Sequence, residues 1–285
     1  MAKYVKNRTM LRDVDEFRIK HLEILTRRNL YRERKHRLNR SIPPYNRDTA
    51  IELRADDIHA RIAFAEIALR NVVEWVEASD SKAGHKFVTV AIGRHVVDPA
   101  HSASFDPRHL QLFIQKALKG FDFVGYVEFS YYPRWPHGVP SVHPHAHLIV
   151  RGPSEKKLRA SLSVISQRHM SLIPGWDSAF ASSLASPNVG SQLLYALKFP
   201  LHSYAPYPKK ATTWDPETGE ELKLPTGKFA QHKNDLRTGE LDLMAGILSN
   251  QFLDRMMFAG GTGIAVKDAI IGEALRPFRS RRPQA

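Results

Sequence analysis

The sequence predicts an α+β fold: a central antiparallel sheet with helices on one face, and helical additions at both ends. Three observations carry that prediction. Strand-like segments recur at residues 87–92, 123–131 and 143–150, and stretches with helix signals lie between and beyond them. The order along the chain is strand, helix, strand, strand, helix, short strand, helix, which suits antiparallel pairing better than a doubly wound parallel sheet. Composition then divides the chain into a basic helical region 1–80, a central domain 81–205, and a hairpin and helical region 206–285.

The N-terminal region opens with a basic segment from Phe17 to Arg40, whose Leu22, Leu25, Leu30 and Tyr31 form an imperfect apolar stripe. Pro43-Pro44 stops it, because proline removes a donor and clashes with the preceding turn. Its cations are either phosphate contacts or a solvated face. Ile58 to Val76 has a better amphipathic pattern and must pack on something. Ser79 to Gly84 is a polar break, followed by the strand Phe87 to Ile92.

Asp106-Pro107 is an N-cap followed by an N1 proline, opening a helix that carries Leu110, Phe113, Ile114 and Leu118. Gly120 closes it. In the strand Phe123 to Tyr131, Phe123, Gly125, Val127 and Phe129 share one face, and Val124, Tyr126, Glu128 and Ser130 the other. Ser154 caps a helix from Glu155 to Gln167, Ala179 to Leu184 reads as a short strand, and Pro187 leads into a helix ending near Lys198. Trp214 to Glu220 is turn-rich and acidic, a hairpin signal. Glu240 to Phe258 reads as one helix, ended by Gly260-Gly261-Thr262-Gly263. That glycine run lacks the Gly-Lys-Ser/Thr of a phosphate loop. Arg276 to Ala285 reads as a mobile basic tail.

With 285 residues, 42% of them hydrophobic, the chain can bury a sizeable core. It has no cysteine, which excludes a disulfide framework, a cysteine-ligated zinc and a cysteine nucleophile. No apolar run approaches the roughly 18–20 residues of a membrane span. The first residues, Met1 to Lys6, lack an apolar secretory core. A cytoplasmic protein that does not engage a membrane is the expectation. Lys and Arg total 42 against 29 Asp and Glu, a net charge of +13. That balance favours a polyanionic partner, nucleic acid before an anionic membrane.

The most informative stretch is His143-Pro144-His145-Ala146-His147-Leu148-Ile149-Val150. On a strand, His145 and His147 project from one face while Ala146, Leu148 and Val150 face a core. Two neutral imidazoles on one rigid face are two legs of a divalent-metal site. If the preceding strand pairs with this one, Glu128 reaches the same face. A carboxylate with two imidazoles suits Mg²⁺ or Mn²⁺. Tyr195 and Lys198 are three apart on a helix, hence on one side of it. A nearby cation favours the tyrosine phenolate, which can attack phosphorus. Lys198 can offset charge on a phosphate oxygen.

Taken together, Phe87–Ile92, Glu128, His143 to His147 and Tyr195-Ala196-Leu197-Lys198 resemble the HUH endonuclease superfamily, specifically rolling-circle replication initiators of small plasmids and phages. The resemblance covers roughly residues 85–200. It implies a palm-like sheet and a metal on Glu128, His145 and His147. It also implies attack by Tyr195 on single-stranded or cruciform origin DNA, leaving a 5′-phosphotyrosyl link and a free 3′-OH. His143 is then a supporting or DNA-contacting residue. A host helicase is a further partner the resemblance allows. One departure stands out. Some relatives carry a glutamate one helical turn before the tyrosine, where this chain has Ser191 beside Gln192, neither a good general base. Three rival readings remain: a transposase or mobilisation relaxase of the same superfamily, a histidine-triad nucleotide hydrolase using His145, and a DNA-binding protein that only reuses the fold.

Overall fold

The computed structural model describes residues 8–38, 53–78, 84–152, 154–215 and 217–279. Two helices come first, α1 (Arg8–Leu38) and α2 (Ile58–Glu77). Then follow β1 (His85–Val90), the short α3 (Pro99–Ser102), α4 (Pro107–Ala117), β2 (Asp122–Tyr132), β3 (Ser141–Arg151), α5 (Glu155–Arg168), β4 (Ala179–Leu184) and α6 (Val189–Leu197). The chain continues through β5 (His202–Trp214), β6 (Glu221–Asp235), α7 (Thr238–Leu248), α8 (Leu253–Met256), β7 (Met257–Gly260), α9 (Gly263–Ala274) and α10 (Arg276–Arg279).

The strands form one mostly antiparallel sheet in the order β4-β1-β3-β2-β5-β6, with β7 on β2 as well. β7 and β5 share one edge of β2: β7 pairs with Phe123–Tyr126, and β5 meets Tyr131 through Ser203. The α+β class therefore holds, but the expectation of helices on one face does not. Val88, Val90, Val127, Ala146, Leu148 and Val150 pack with Leu110 and Ile114 of α4 and Leu158, Leu162 and Ile165 of α5. On the opposite face, Phe87, Val124, Tyr126 and Ile149 belong to a second cluster with residues of α1, α2, α6, α7 and α9. β1, β2 and β3 are buried on both faces, so both must be covered. The helices before residue 80 and after residue 205 thus share one core with the central sheet.

Several local expectations are met. Asp106 accepts from the Arg108 amide, Ser154 from the Lys157 amide, and Gly120 has a φ of +86°. The Trp214–Glu220 turn joins β5 to β6, whose strands run much further than the turn signal indicated. The segment 79–83, Pro43-Pro44 and the tail beyond Arg279 lie outside the described residues.

Two expectations fail, and an open one is narrowed. The helix expected from Glu240 to Phe258 stops at Leu248, and Phe258 is in strand β7. An apolar segment can serve either period, and here a vacant length of β2 takes it up. Gly125 makes room: a Cβ there would lie 2.8 Å from the Phe258 ring. The glycine run does not end a helix but turns the chain from β7 into α9, which the sequence reading lacked. Gly263 sits so close to the Phe123 carbonyl that a Cβ would be 2.0 Å from its oxygen. Finally, four arginines of α1 are more than a solvated face. Arg27 donates to the Leu236 carbonyl, Arg28 to that of Asp56, Arg32 to Asp242 and Arg18 to Glu66, tying α1 to its neighbours.

Candidate metal centre

The antiparallel register of β2 and β3 sets Glu128 directly opposite His145 and Tyr126 opposite His147. Period-two alternation then turns Glu128, His145 and His147 to the same face. All three are buried, and one ligand atom from each falls within 4.8 Å of the others. His147 Nε2 is 3.2 Å from Glu128 Oε2, His145 Nε2 is 3.7 Å from it, and the two Nε2 atoms are 3.2 Å apart. The ligands of an octahedral ion, each at about 2.1 Å on perpendicular axes, are about 3 Å apart. The group can therefore hold a metal ion.

The surroundings prepare these atoms for ligation. His145 Nδ1 donates to the His143 carbonyl at 3.1 Å, which leaves a lone pair on Nε2 of the neutral ring. Thr89 Oγ1 lies 3.0 Å from His147 Nδ1 and orients that ring from β1. Such outer contacts set tautomer and ring angle in metal sites. Burial drives both imidazoles toward the neutral form, His145 down to about 3. Burial works against the Glu128 carboxylate too, but Lys198 and the two imidazoles together outweigh it and bring the group down to about 2. Among the described residues, Glu128 Oε2 is buried with no hydrogen bond of good geometry, although His147 Nε2 lies 3.2 Å away. A carboxylate oxygen so placed can take a donor or a cation.

His143, the first histidine of the motif, is outside this group. Its Nε2 bonds the Ile92 carbonyl at 3.0 Å, so it braces β3 against the segment after β1.

Tyr195 and Lys198 arrive from α6, which packs across β2 and β3. Lys198 is one residue past the helix and extended, yet its Nζ reaches back to the Tyr195 carbonyl at 3.2 Å and pairs with Glu128 Oε1. The ammonium lies 3.8 Å from the centre of the Tyr195 ring, and that ring is 5.3 Å from the His147 ring. All five residues singled out from the sequence thus converge. Lys198 faces Glu128, which makes it the carboxylate's partner. Burial, reinforced by Glu128, pushes the Tyr195 phenol up to about 12, so the protein groups alone keep it protonated at neutral pH.

Three contributors escaped the sequence reading. Tyr204 on β5 lines the same cavity as Tyr195 and interacts with it electrostatically, although it is not on the helix at all. Arg61 of α2, fully buried, donates to the carbonyls of Leu197 at 2.8 Å and Lys198 at 3.3 Å. His21 of α1 accepts from the Phe199 amide at 2.9 Å. Arg61 and His21 therefore fix the backbone on both sides of Lys198. No local pattern signals such contacts.

No protein-family model, curated protein or solved structure gives a significant match to this chain. No helix among the described residues is long and apolar enough to cross a membrane.

Proposed function

We propose that this chain is a rolling-circle replication initiator of the HUH endonuclease kind, nicking single-stranded or cruciform origin DNA through Tyr195. The observation that carries the reading is the placement of the Tyr195 ring 5.3 Å from that of His147, at the edge of a buried Glu128/His145/His147 group. The order of strands and helix, and the net charge of +13, support it.

Glu128, His145 and His147 would hold Mg²⁺ or Mn²⁺. A bound ion of that kind supplies Lewis-acid polarisation of a phosphate oxygen. The chain's own residues do the rest. Tyr195 Oη attacks the scissile phosphorus, the new bond is O–P to the 5′ side, and the phenolic proton ends on the departing 3′ oxygen as a free 3′-OH. Lys198 pairs with Glu128 beside the tyrosine ring and helps to keep the carboxylate ionised. Tyr204 lines the cavity beside the nucleophile. Arg61 and His21 hold the segment that carries Lys198.

A transposase or mobilisation relaxase would use the same residues on a different DNA. The histidine-triad alternative fits the geometry less well. It would use the lone pair on His145 Nε2, but it gives no role to the Tyr195 ring beside His147 or to Lys198 on Glu128.

The test is incubation with a pool of labelled single-stranded oligonucleotides in Mn²⁺, followed by a denaturing gel. A shifted protein–DNA band that disappears with chelator and in Tyr195→Phe supports the reading. Hydrolysis of a small adenosine phosphate without metal would overturn it in favour of the histidine-triad alternative.

A further inference from the structure

A cavity of about 290 Å³ opens beside the histidine pair, lined by His145 and His147 at one end and by Trp176, Phe180 and Gln231 further out. In register, Phe180 on β4 faces Thr89 on β1, and Thr89 faces His147 on β3. The three form one row on one face. With strands about 4.8 Å apart, Phe180 lies about 10 Å from His147 along the sheet. That is the scale of a nucleotide reaching from phosphate to base.

Both aromatics are more exposed than large apolar side chains usually are, Trp176 at 40% and Phe180 at 46%. Trp176 is not loose: its indole N–H donates to the Phe229 carbonyl at 3.1 Å and its amide to that of Ile173 at 3.2 Å. The polar edge of the ring is already satisfied, so what it offers the cavity is π surface. Gln231 adds an independent observation. Its side-chain oxygen is buried without any hydrogen-bond partner among the described residues, and its residue lines the same cavity. A buried amide oxygen left unpaired marks a place where a donor belongs.

From this geometry we infer that the cavity is a nucleobase subsite. It takes one unstacked base of a single strand whose phosphate lies at Glu128, His145 and His147, with Trp176 and Phe180 supplying stacking and Gln231 accepting from the base edge. Aromatic platforms bind single strands in this way because every base has a π face. An amide side chain matches the donor–acceptor edges of bases. The inference rests on the proposed function for the position of the phosphate, and extends it to how the strand is held.

The experiment measures fluorescence anisotropy of labelled 15-mer single strands, base-bearing and fully abasic, in Mn²⁺. The protein is the full chain carrying Tyr195→Phe, so that no strand is cut. The parent is expected to bind the base-bearing strand about tenfold or more tighter than the abasic one. Trp176→Ala/Phe180→Ala should bring the two strands to equal affinity. Gln231→Leu should weaken only the base-bearing strand, by a few-fold. Trp176→Phe, which keeps a ring, should retain most of the discrimination, and Phe180→Ala alone serves if the double variant does not fold. A parent blind to the missing bases, or a folded double variant that still discriminates, overturns the subsite. Covalent adduct formation by the Tyr195 protein is scored separately. Adduct without base discrimination removes the subsite and leaves the nicking reading, whereas base discrimination without adduct does the reverse.

Discussion

Glu128 and Lys198, 70 residues apart in the chain, form a buried ion pair beneath the Tyr195 ring. One end of the carboxylate is thereby neutralised, and the other, Oε2, is turned toward two imidazole nitrogens. The pair settles the charge of the site before any ligand arrives, and it joins the sheet to the helix that carries the tyrosine.

Removing the carboxylate charge should therefore cost both stability and metal. Glu128→Gln leaves the Lys198 ammonium buried without its counter-ion, and breaking such a pair costs about 3–5 kcal/mol. Thermal unfolding should show a lower Tm for the variant, and Mn²⁺ should raise the Tm of the parent while leaving that of the variant unmoved. Equal Mn²⁺ shifts in the two proteins would mean that the carboxylate is not a ligand.

Thr89 orients His147 without belonging to the ligand group. Replacing it with valine keeps the shape and removes the hydroxyl 3.0 Å from Nδ1. Mn²⁺ affinity, read by calorimetric titration, should fall about 10- to 100-fold, with chemical unfolding in the absence of metal shifted far less.

Arg61 offers a test of the link between the N-terminal helices and the site. Arg61→Ala strips donors from three buried carbonyls, those of Ala55, Leu197 and Lys198. With each unsatisfied group costing about 1–3 kcal/mol, the total loss should be about 3 kcal/mol or more in urea unfolding. Arg61→Lys should recover only part of it, since one ammonium cannot reproduce the guanidinium fork.

Acid sensitivity should trace in part to His21. Burial, helped by the nearby Arg61 and Lys198 charges, lowers its folded value to about 3 from an ordinary 6.5. Between these two values the unfolded chain binds a proton that the folded chain does not. The stabilisation from neutral His21 is thus complete above about pH 6.5 and is lost as pH falls toward 3, at about 1.4 kcal/mol per pH unit. Urea unfolding from pH 7.5 to 4.5 should show this slope in the parent and a shallower one in His21→Gln. Identical slopes would remove His21 from the account.

Much of the centre is legible in the sequence because its geometry is local. Histidines two apart share a strand face wherever that strand lies, and a hairpin is enough to bring Glu128 alongside. Tyr195 and Lys198 also meet, although Lys198 lies one residue past the helix and only its long side chain brings Nζ back to the Tyr195 carbonyl. What escapes is whatever depends on distant packing. The contact between Arg61 and Leu197 spans 136 residues, and that between His21 and Phe199 spans 178. Tyr204 lines the cavity beside Tyr195 only because β5 returns beside β2. Phe258 illustrates the opposite failure: its surroundings suit either a helix or a strand, and the unfilled edge of β2 decides between them.

The central claim is that Tyr195 is the group that joins to DNA. Its most direct test is mass spectrometry of the protein after reaction with single-stranded oligonucleotides in Mn²⁺, nuclease trimming and proteolysis. The account predicts a 5′-phosphodeoxynucleotide on the peptide containing Tyr195, with fragment ions locating it on that side chain. The same modification on His145, or on Tyr204 in place of Tyr195, would contradict it.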